Sequence, residues 1–173
     1  MVECVIPPGL RLGPWHTERR GDNMVLAHDT LGRIMTTSVL VNYPQERDKL
    51  YHEVEGEVML GGLGLGLDIS ICLSRPEVTS IEVWEKDEQL IELISPFYPD
   101  DRVTFVYGDV YAGPSRNYDC IWMDIVQDDD PEHYPALCIL RDLYTPRARK
   151  WFTTWGWDRI FSNWRFEHTG AKT

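Results

Sequence analysis

Apolar positions along the chain fall into short continuous runs, separated by stretches in which they recur every three or four residues. Residues 24–27 and 33–37 are β-prone pieces joined by the glycine-containing stretch 28–32, which predicts a hairpin. Before it, residues 1–23 carry Pro7-Pro8-Gly9, Gly13-Pro14 and a charged patch at 18–22, so an irregular arm is expected, pinned to the body by Trp15. Pro44 breaks the chain and residues 45–54 read as a helix leading into a first strand.

That strand, Glu57-Val58-Met59-Leu60, feeds a turn containing Gly61, Gly62, Gly64 and Gly66, and residues 67–74 then look helical. A second unit repeats the pattern. Residues 78–84 are β-rich, and 86–96 place Leu90, Ile91, Leu93 and Ile94 at helical spacing. Residues 102–107 and the strongly apolar 118–123 predict a third and a fourth strand; 132–143 predicts a helix, 149–155 a fifth strand, and 157–168 has room for one further element. Strand and helix alternating in this way predict an α/β fold: a mainly parallel sheet with helices on both faces, preceded by the small N-terminal hairpin. The expected division is an arm and hairpin over 1–45 and a Rossmann-like domain over 46–173.

Composition narrows the chemistry. At 173 residues, 43% hydrophobic and 12% aromatic, the chain can bury the core of one domain. No run of about 18 apolar residues is present, and 1–8 lacks a basic region followed by an apolar stretch, so no membrane association is expected and the protein is read as soluble and cytoplasmic. A formal charge of −11 repels phosphates, which disfavours a nucleic-acid substrate and attracts a cationic one. Cys4, Cys72, Cys120 and Cys138 form no CxxC pair and read as reduced core residues; with no close histidine pairs, no structural metal is expected.

The glycine turn between strand and helix suits close approach of a nucleotide, although such turns also serve packing. Glu85 follows the loop by about 20 residues, the usual offset for an acid that accepts hydrogen bonds from a ribose. Asp109 ends the third strand, where an aspartate and an adjacent amide can recognise an adenine edge or, alternatively, cap a helix. The fourth strand delivers Asp124 to the same edge of the sheet, while Asp128 to Asp130 reads as a solvated loop capping the helix that begins near Pro131.

Over roughly residues 24–131 the chain resembles the S-adenosylmethionine-dependent transferases of Rossmann-like fold, and within them the spermidine synthase group. The likeness rests on Glu46-Arg47-Asp48-Lys49-Leu50-Tyr51-His52-Glu53, Gly61-Gly62, Val83-Trp84-Glu85-Lys86-Asp87, Gly108-Asp109, and Tyr118-Asp119 through Asp124. It implies S-adenosylmethionine, or its decarboxylated form, as cofactor. The glycine loop would face the methionine part, Glu85 the ribose and Asp109 the adenine, with Lys86, Gly108, Val110 and His52 completing the cofactor group. Asp124 and Tyr51 would face the acceptor, Asp124 orienting an amine or taking its proton.

Two departures shape the functional expectation. The group's loop carries an aspartate that holds the amino group of the decarboxylated cofactor, whereas Gly62-Leu63-Gly64 has no acid; and its Asp-x-x-Asp pair becomes Asp124-Ile125-Val126-Gln127, with Asp128 one place late. The chain is also shortened at its C-terminus relative to that fold. Methyl transfer to a small molecule is therefore expected ahead of aminopropyl transfer to a polyamine, the other readings being that transfer or a non-catalytic member of the fold. The absence of Asn-Pro-Pro-Tyr after the fourth strand counts against methylation of a base. Four of seven tryptophans, Trp151, Trp155, Trp157 and Trp164, lie in the final quarter, and an unprotected edge strand beside them predicts a homodimer.

Overall fold

The computed structural model describes residues 4–37, 44–114, 116–126 and 128–169. Residues 1–3 of the arm, and Gln127, which stands where the group's second aspartate falls, lie outside them. Four antiparallel strands come first: β1 (Arg11–Leu12), β2 (Trp15–Arg20), β3 (Asn23–His28) and β4 (Gly32–Thr36), in spatial order β1-β2-β3-β4. The expected hairpin is β3 and β4. The expected irregular arm instead contains β2, which pairs with all of β3 from Trp15↔His28 to Arg20↔Asn23. Its sequence, Trp-His-Thr-Glu-Arg-Arg, has little apolar content, but Trp15 and Thr17 point inward and are buried. Trp15 does pin this sheet to the body, its indole Nε1 donating to Asp87 Oδ2 at 2.8 Å.

A short helix α1 (Asp48–His52) leads into the main sheet of β5 (Gly56–Gly61), β6 (Val78–Glu85), β7 (Val103–Tyr107), β8 (Tyr118–Met123) and β9 (Ala148–Thr154). The intervening helices are α2 (Leu67–Leu73), α3 (Glu88–Ile94), α4 (Tyr134–Tyr144) and, at the end, α5 (Trp157–Thr169). All four strand pairings are parallel and the order is β7-β6-β5-β8-β9. In order of succession this is 3-2-1-4-5, the doubly wound Rossmann arrangement, in which ligands lie outside the carboxyl ends of the strands where the order reverses. Here the reversal falls between β5 and β8.

Register explains why the central strands are apolar on both faces. Val58, Leu60, Ile81, Val83, Cys120 and Trp122 share one face and pack with α1, α2, α3 and the N-terminal sheet. Met59, Ile121 and Met123 project the other way, against Leu137, Leu140 and Tyr144 of α4 and Ile160 of α5. A parallel sheet with both faces covered needs such continuous apolar strands. Asp87 caps α3 by accepting from the amides of Gln89 and Leu90, so the same carboxylate that holds Trp15 also starts the helix.

The C-terminal tryptophans are engaged within the chain. Trp155 is buried, Trp151 packs on the first core, Trp157 on the second, and Trp164 lies 4.9 Å from the ring of Tyr134. Trp151, Trp157 and Trp164 are only half-buried, and the most exposed apolar side chains of this end are Ile139, Leu143 and Phe166. All four cysteines are free, two of them buried. No helix among the described residues is long and apolar enough to cross a membrane.

Candidate active site

The crevice between β5 and β8 is closed on one side by the glycine loop. The loop is sewn to both neighbours of β5: Gly62 N–H donates to Trp84 O at 2.8 Å, and Asp124 N–H donates to Gly61 O at 2.8 Å. Gly62 has φ +90°, and a Cβ there would run into the carbonyl oxygen of Asp124, which is backbone and cannot yield. Gly66, at φ +69°, caps α2, with the Tyr98 ring where a side chain would stand. Gly61 and Gly64 are likewise backed by Met123 and Met35. Met35, from β4, lays its thioether on the loop and accepts from Leu65 N–H at 3.3 Å, so the N-terminal sheet reaches the site.

Glu85 stands where the spacing expects it. Its carboxylate accepts from Leu63 N–H of the loop at 3.1 Å and from Asp87 N–H at 3.0 Å, tying the end of β6 to the glycine turn. Lys86 follows it, exposed. Gly108 donates to Glu85 O at 3.0 Å, which holds the end of β7 beside β6. Asp109 accepts from Tyr111 N–H at 2.9 Å and caps the turn Val110–Ala112, so the capping alternative describes what its carboxylate does. The Val110 side chain is buried in the second core and its carbonyl takes the Tyr144 hydroxyl at 2.7 Å.

On the far side of the crevice, Asp124 does not stand alone. Its Oδ2 lies 2.6 Å from Nη2 of Arg47, whose Nε lies 2.8 Å from Oδ1 of Asp68, and Asp68 Oδ2 accepts from Trp122 Nε1 at 2.9 Å. Arg47 is 1% exposed. Burial by itself lowers its pKa, but Asp68 and Asp124 together outweigh that and leave the guanidinium firmly charged. Its Nη1 is buried with no hydrogen-bond partner. Tyr51, one turn after Arg47, is half-buried; burial raises its phenol pKa, partly offset by Arg47.

Arg47, quoted above only as part of the likeness, and Asp68 receive no role from the sequence, although for Arg47 a signal exists. Arg47, Leu50, Tyr51 and Val54 follow i, i+3, i+4, i+7 spacing, so a charge falls on the apolar face of a helix and must bring partners with it.

His52 is the clear correction. It is the last residue of α1, and its side chain lies away from the crevice. There His52 lines a cleft of about 480 Å³ with Glu55, which precedes β5, Glu77, which precedes β6, and Lys150 and Trp151 of β9. A residue at the amino ends of the strands cannot meet a cofactor at their carboxyl ends. On the crevice side, a smaller cavity of about 190 Å³ opens beside Trp122, lined also by Gln45, Asp48, Lys49, Thr153, Thr154, Trp157 and Asp158. Its charged lining is two carboxylates and one ammonium, a formal charge of −1.

No family model matches the chain. Two curated relatives are putrescine N-methyltransferase 2 of Nicotiana attenuata and of Nicotiana tabacum, each 26% identical over an alignment 132 positions long that covers 64% of this chain. The chain spans 35% and 36% of their lengths. Among solved structures, the DhpI–SAH complex matches with a TM-score of 0.49 at 15% identity, covering 67% of this chain and 57% of that one. An S-adenosylmethionine dependent methyltransferase from Mesorhizobium loti matches at 0.47 and 16%, covering 65% and 51%. The plantazolicin methyltransferase BpumL in complex with SAH matches at 0.46 and 14%, covering 63% and 42%. Likenesses at that level do not bear on the chemistry of this chain.

Proposed function

We propose that this chain carries out methyl transfer from S-adenosylmethionine to a small molecule, with an amine as the favoured acceptor. The observation that carries the reading is the juxtaposition at one switch point: the glycine loop after β5, Glu85 at the end of β6 tied to that loop, and Asp124 at the end of β8. The curated relatives, whose name gives them N-methylation of putrescine, support it.

The donor set suits the cofactor. Glu85, on the loop, offers a carboxylate to ribose hydroxyls, and Asp109 keeps its position at the end of β7 for the base. When bound, the cofactor supplies a methyl group already activated by its sulfonium, so the protein has to align the two reactants and manage one proton. Alignment falls to the rigid loop and to the cavity beside Trp122. Asp124, ion-paired to Arg47, orients an amine by charge; releasing that pair is the condition for it to take a proton. Tyr51, within electrostatic reach of Arg47 and Asp68, is the second residue proposed for the acceptor.

The finer likeness to the spermidine synthase group belongs to this proposal, and aminopropyl transfer is its second reading. The chain's net charge of −11, and the one carboxylate left over around the smaller cavity once Lys49 is set against Asp48 and Asp158, favour a cationic acceptor in either case, while the loop without an acid favours the carboxylated cofactor. A cytoplasmic location rests on the four free cysteines, and a homodimer on the open edge of β9 with exposed Ile139, Leu143 and Phe166. The test is incubation with methyl-labelled S-adenosylmethionine and separate panels of small amines, other small molecules and nucleic acids. Label in a small amine is the expected result; label only in nucleic acid, or in nothing, rejects the proposal.

A further inference from the structure

The unpartnered Nη1 of Arg47 has a use if the proposed cofactor is right. A guanidinium presents five N–H donors in a rigid fork. In Arg47 one edge is spent on Asp68 through Nε and another on Asp124 through Nη2, while Nη1 is buried and bonded to nothing. A buried donor without an acceptor is unusual in a folded protein and calls for a partner that the chain itself does not supply.

Position and charge indicate which group. Asp68 is the second residue of α2, directly after the glycine loop, and Asp124 bonds through its backbone to Gly61, where that loop begins. Arg47 is thus held between the two walls of the crevice, at the end assigned to the methionine part of the cofactor. Two carboxylates surround one guanidinium, so the cluster carries one surplus negative charge. A simple anion approaching Nη1 would be repelled by that surplus, and a simple amine would leave Nη1 unmet. An α-amino acid group answers both, because its carboxylate accepts from Nη1 while its ammonium faces the surplus charge.

We propose that Arg47, through Nη1, reads the α-carboxylate of the cofactor's methionine moiety and makes the site select S-adenosylmethionine over its decarboxylated form. The inference rests on the proposed cofactor. Lysine cannot replace arginine here, since one ammonium has no fork with which to hold both aspartates and the ligand together.

Calorimetry without acceptor tests it, using S-adenosylmethionine, its decarboxylated form and methylthioadenosine, which lacks the amino acid altogether. Wild type should prefer the carboxylated cofactor over the decarboxylated one by about 10-fold or more, the scale of a charge-assisted hydrogen bond. Arg47→Lys and Arg47→Gln should collapse that ratio and leave methylthioadenosine affinity within about threefold. The comparison of ligands on wild type needs no variant to fold. Equal or reversed preference in wild type overturns the inference while the cofactor reading stands, as does a ratio that survives in the variants or a matching loss of methylthioadenosine. Failure of wild type to bind any of the three ends the cofactor reading and this inference together.

Discussion

Replacing Glu85 by alanine should separate a structural from a ligand-binding role, because its carboxylate has both. In the free protein it accepts from Leu63 N–H and Asp87 N–H, at 3.1 and 3.0 Å. Hydrogen bonds to a charged group contribute about 1.5 to 3 kcal/mol each, but these are partly open to water, so a loss of about 2 kcal/mol in unfolding free energy is expected for the pair. The ribose bonds come in addition. If they are worth about 2 kcal/mol, the dissociation constant for S-adenosylhomocysteine rises about 30-fold. Ligand present at about 100 times the wild-type dissociation constant stabilises wild type by about 2.7 kcal/mol, and the same concentration should stabilise Glu85→Ala by only about 0.9 kcal/mol. Urea unfolding of both proteins, with and without ligand, measures both effects in one experiment. A variant that is less stable yet gains as much from ligand as wild type would show that Glu85 only braces the loop, and the ribose assignment would be withdrawn.

Three further outcomes are expected. Asp124→Asn should bind methylthioadenosine, which lacks the amino acid end, within a few-fold of wild type but turn over its acceptor at least about 10-fold more slowly, since the shape stays and the charge goes; undiminished turnover would remove its role. Trp122→Phe leaves Asp68 Oδ2 without its indole donor and should cost about 1 to 3 kcal/mol, seen as a lowered Tm; an unchanged Tm would mean that the buried network contributes nothing to stability. Glu57, held low by Arg149 and Arg116, Asp119, held low by the Glu57 amide and Arg149, and Asp100, pulled down to about 2 by Arg102, all have folded pKa values below their ordinary 4.5 or 3.8. Their contribution is complete above the ordinary carboxylate range and is lost as pH falls through the folded values, so Tm should be level above about pH 5 and decline toward about pH 2; a flat profile would contradict these pairings.

How much was legible in the sequence depended on whether a feature is local. The alternation of apolar runs with helical spacing located every strand of the main sheet, because a parallel strand buried on both faces is continuous in its own sequence. Glu85 was legible for the same reason, its place being set by the length of one β-α unit. β2 was hidden, since Trp-His-Thr-Glu-Arg-Arg becomes a strand only when β3 supplies its partner and Asp87 its anchor. Arg47 was legible only as a charge on the apolar face of a helix, and Asp68 not at all; that the two are enclosed together with Asp124 is decided by the meeting of α1, α2 and β8. His52 failed because successive residues of a helix point about 100° apart, so the turn that brings Tyr51 within reach of Arg47 and Asp68 swings the next side chain into the cleft with Glu55, Glu77 and Lys150. The tryptophans of the final quarter divide in a way their number does not tell: Trp155 is buried, while Trp151, Trp157 and Trp164 pack on the two cores and Tyr134 and stay half-exposed.

The central claim is that an S-adenosyl cofactor lies at the carboxyl ends of β5 and β8. A crystal structure of the protein grown with S-adenosylhomocysteine tests it most directly. The ligand is expected over the glycine loop, with its ribose on Glu85 and its amino acid end toward Arg47 and Asp124. A ligand found instead in the cleft beside His52, or none bound at about 1 mM, weaker than about −4 kcal/mol, would contradict the account.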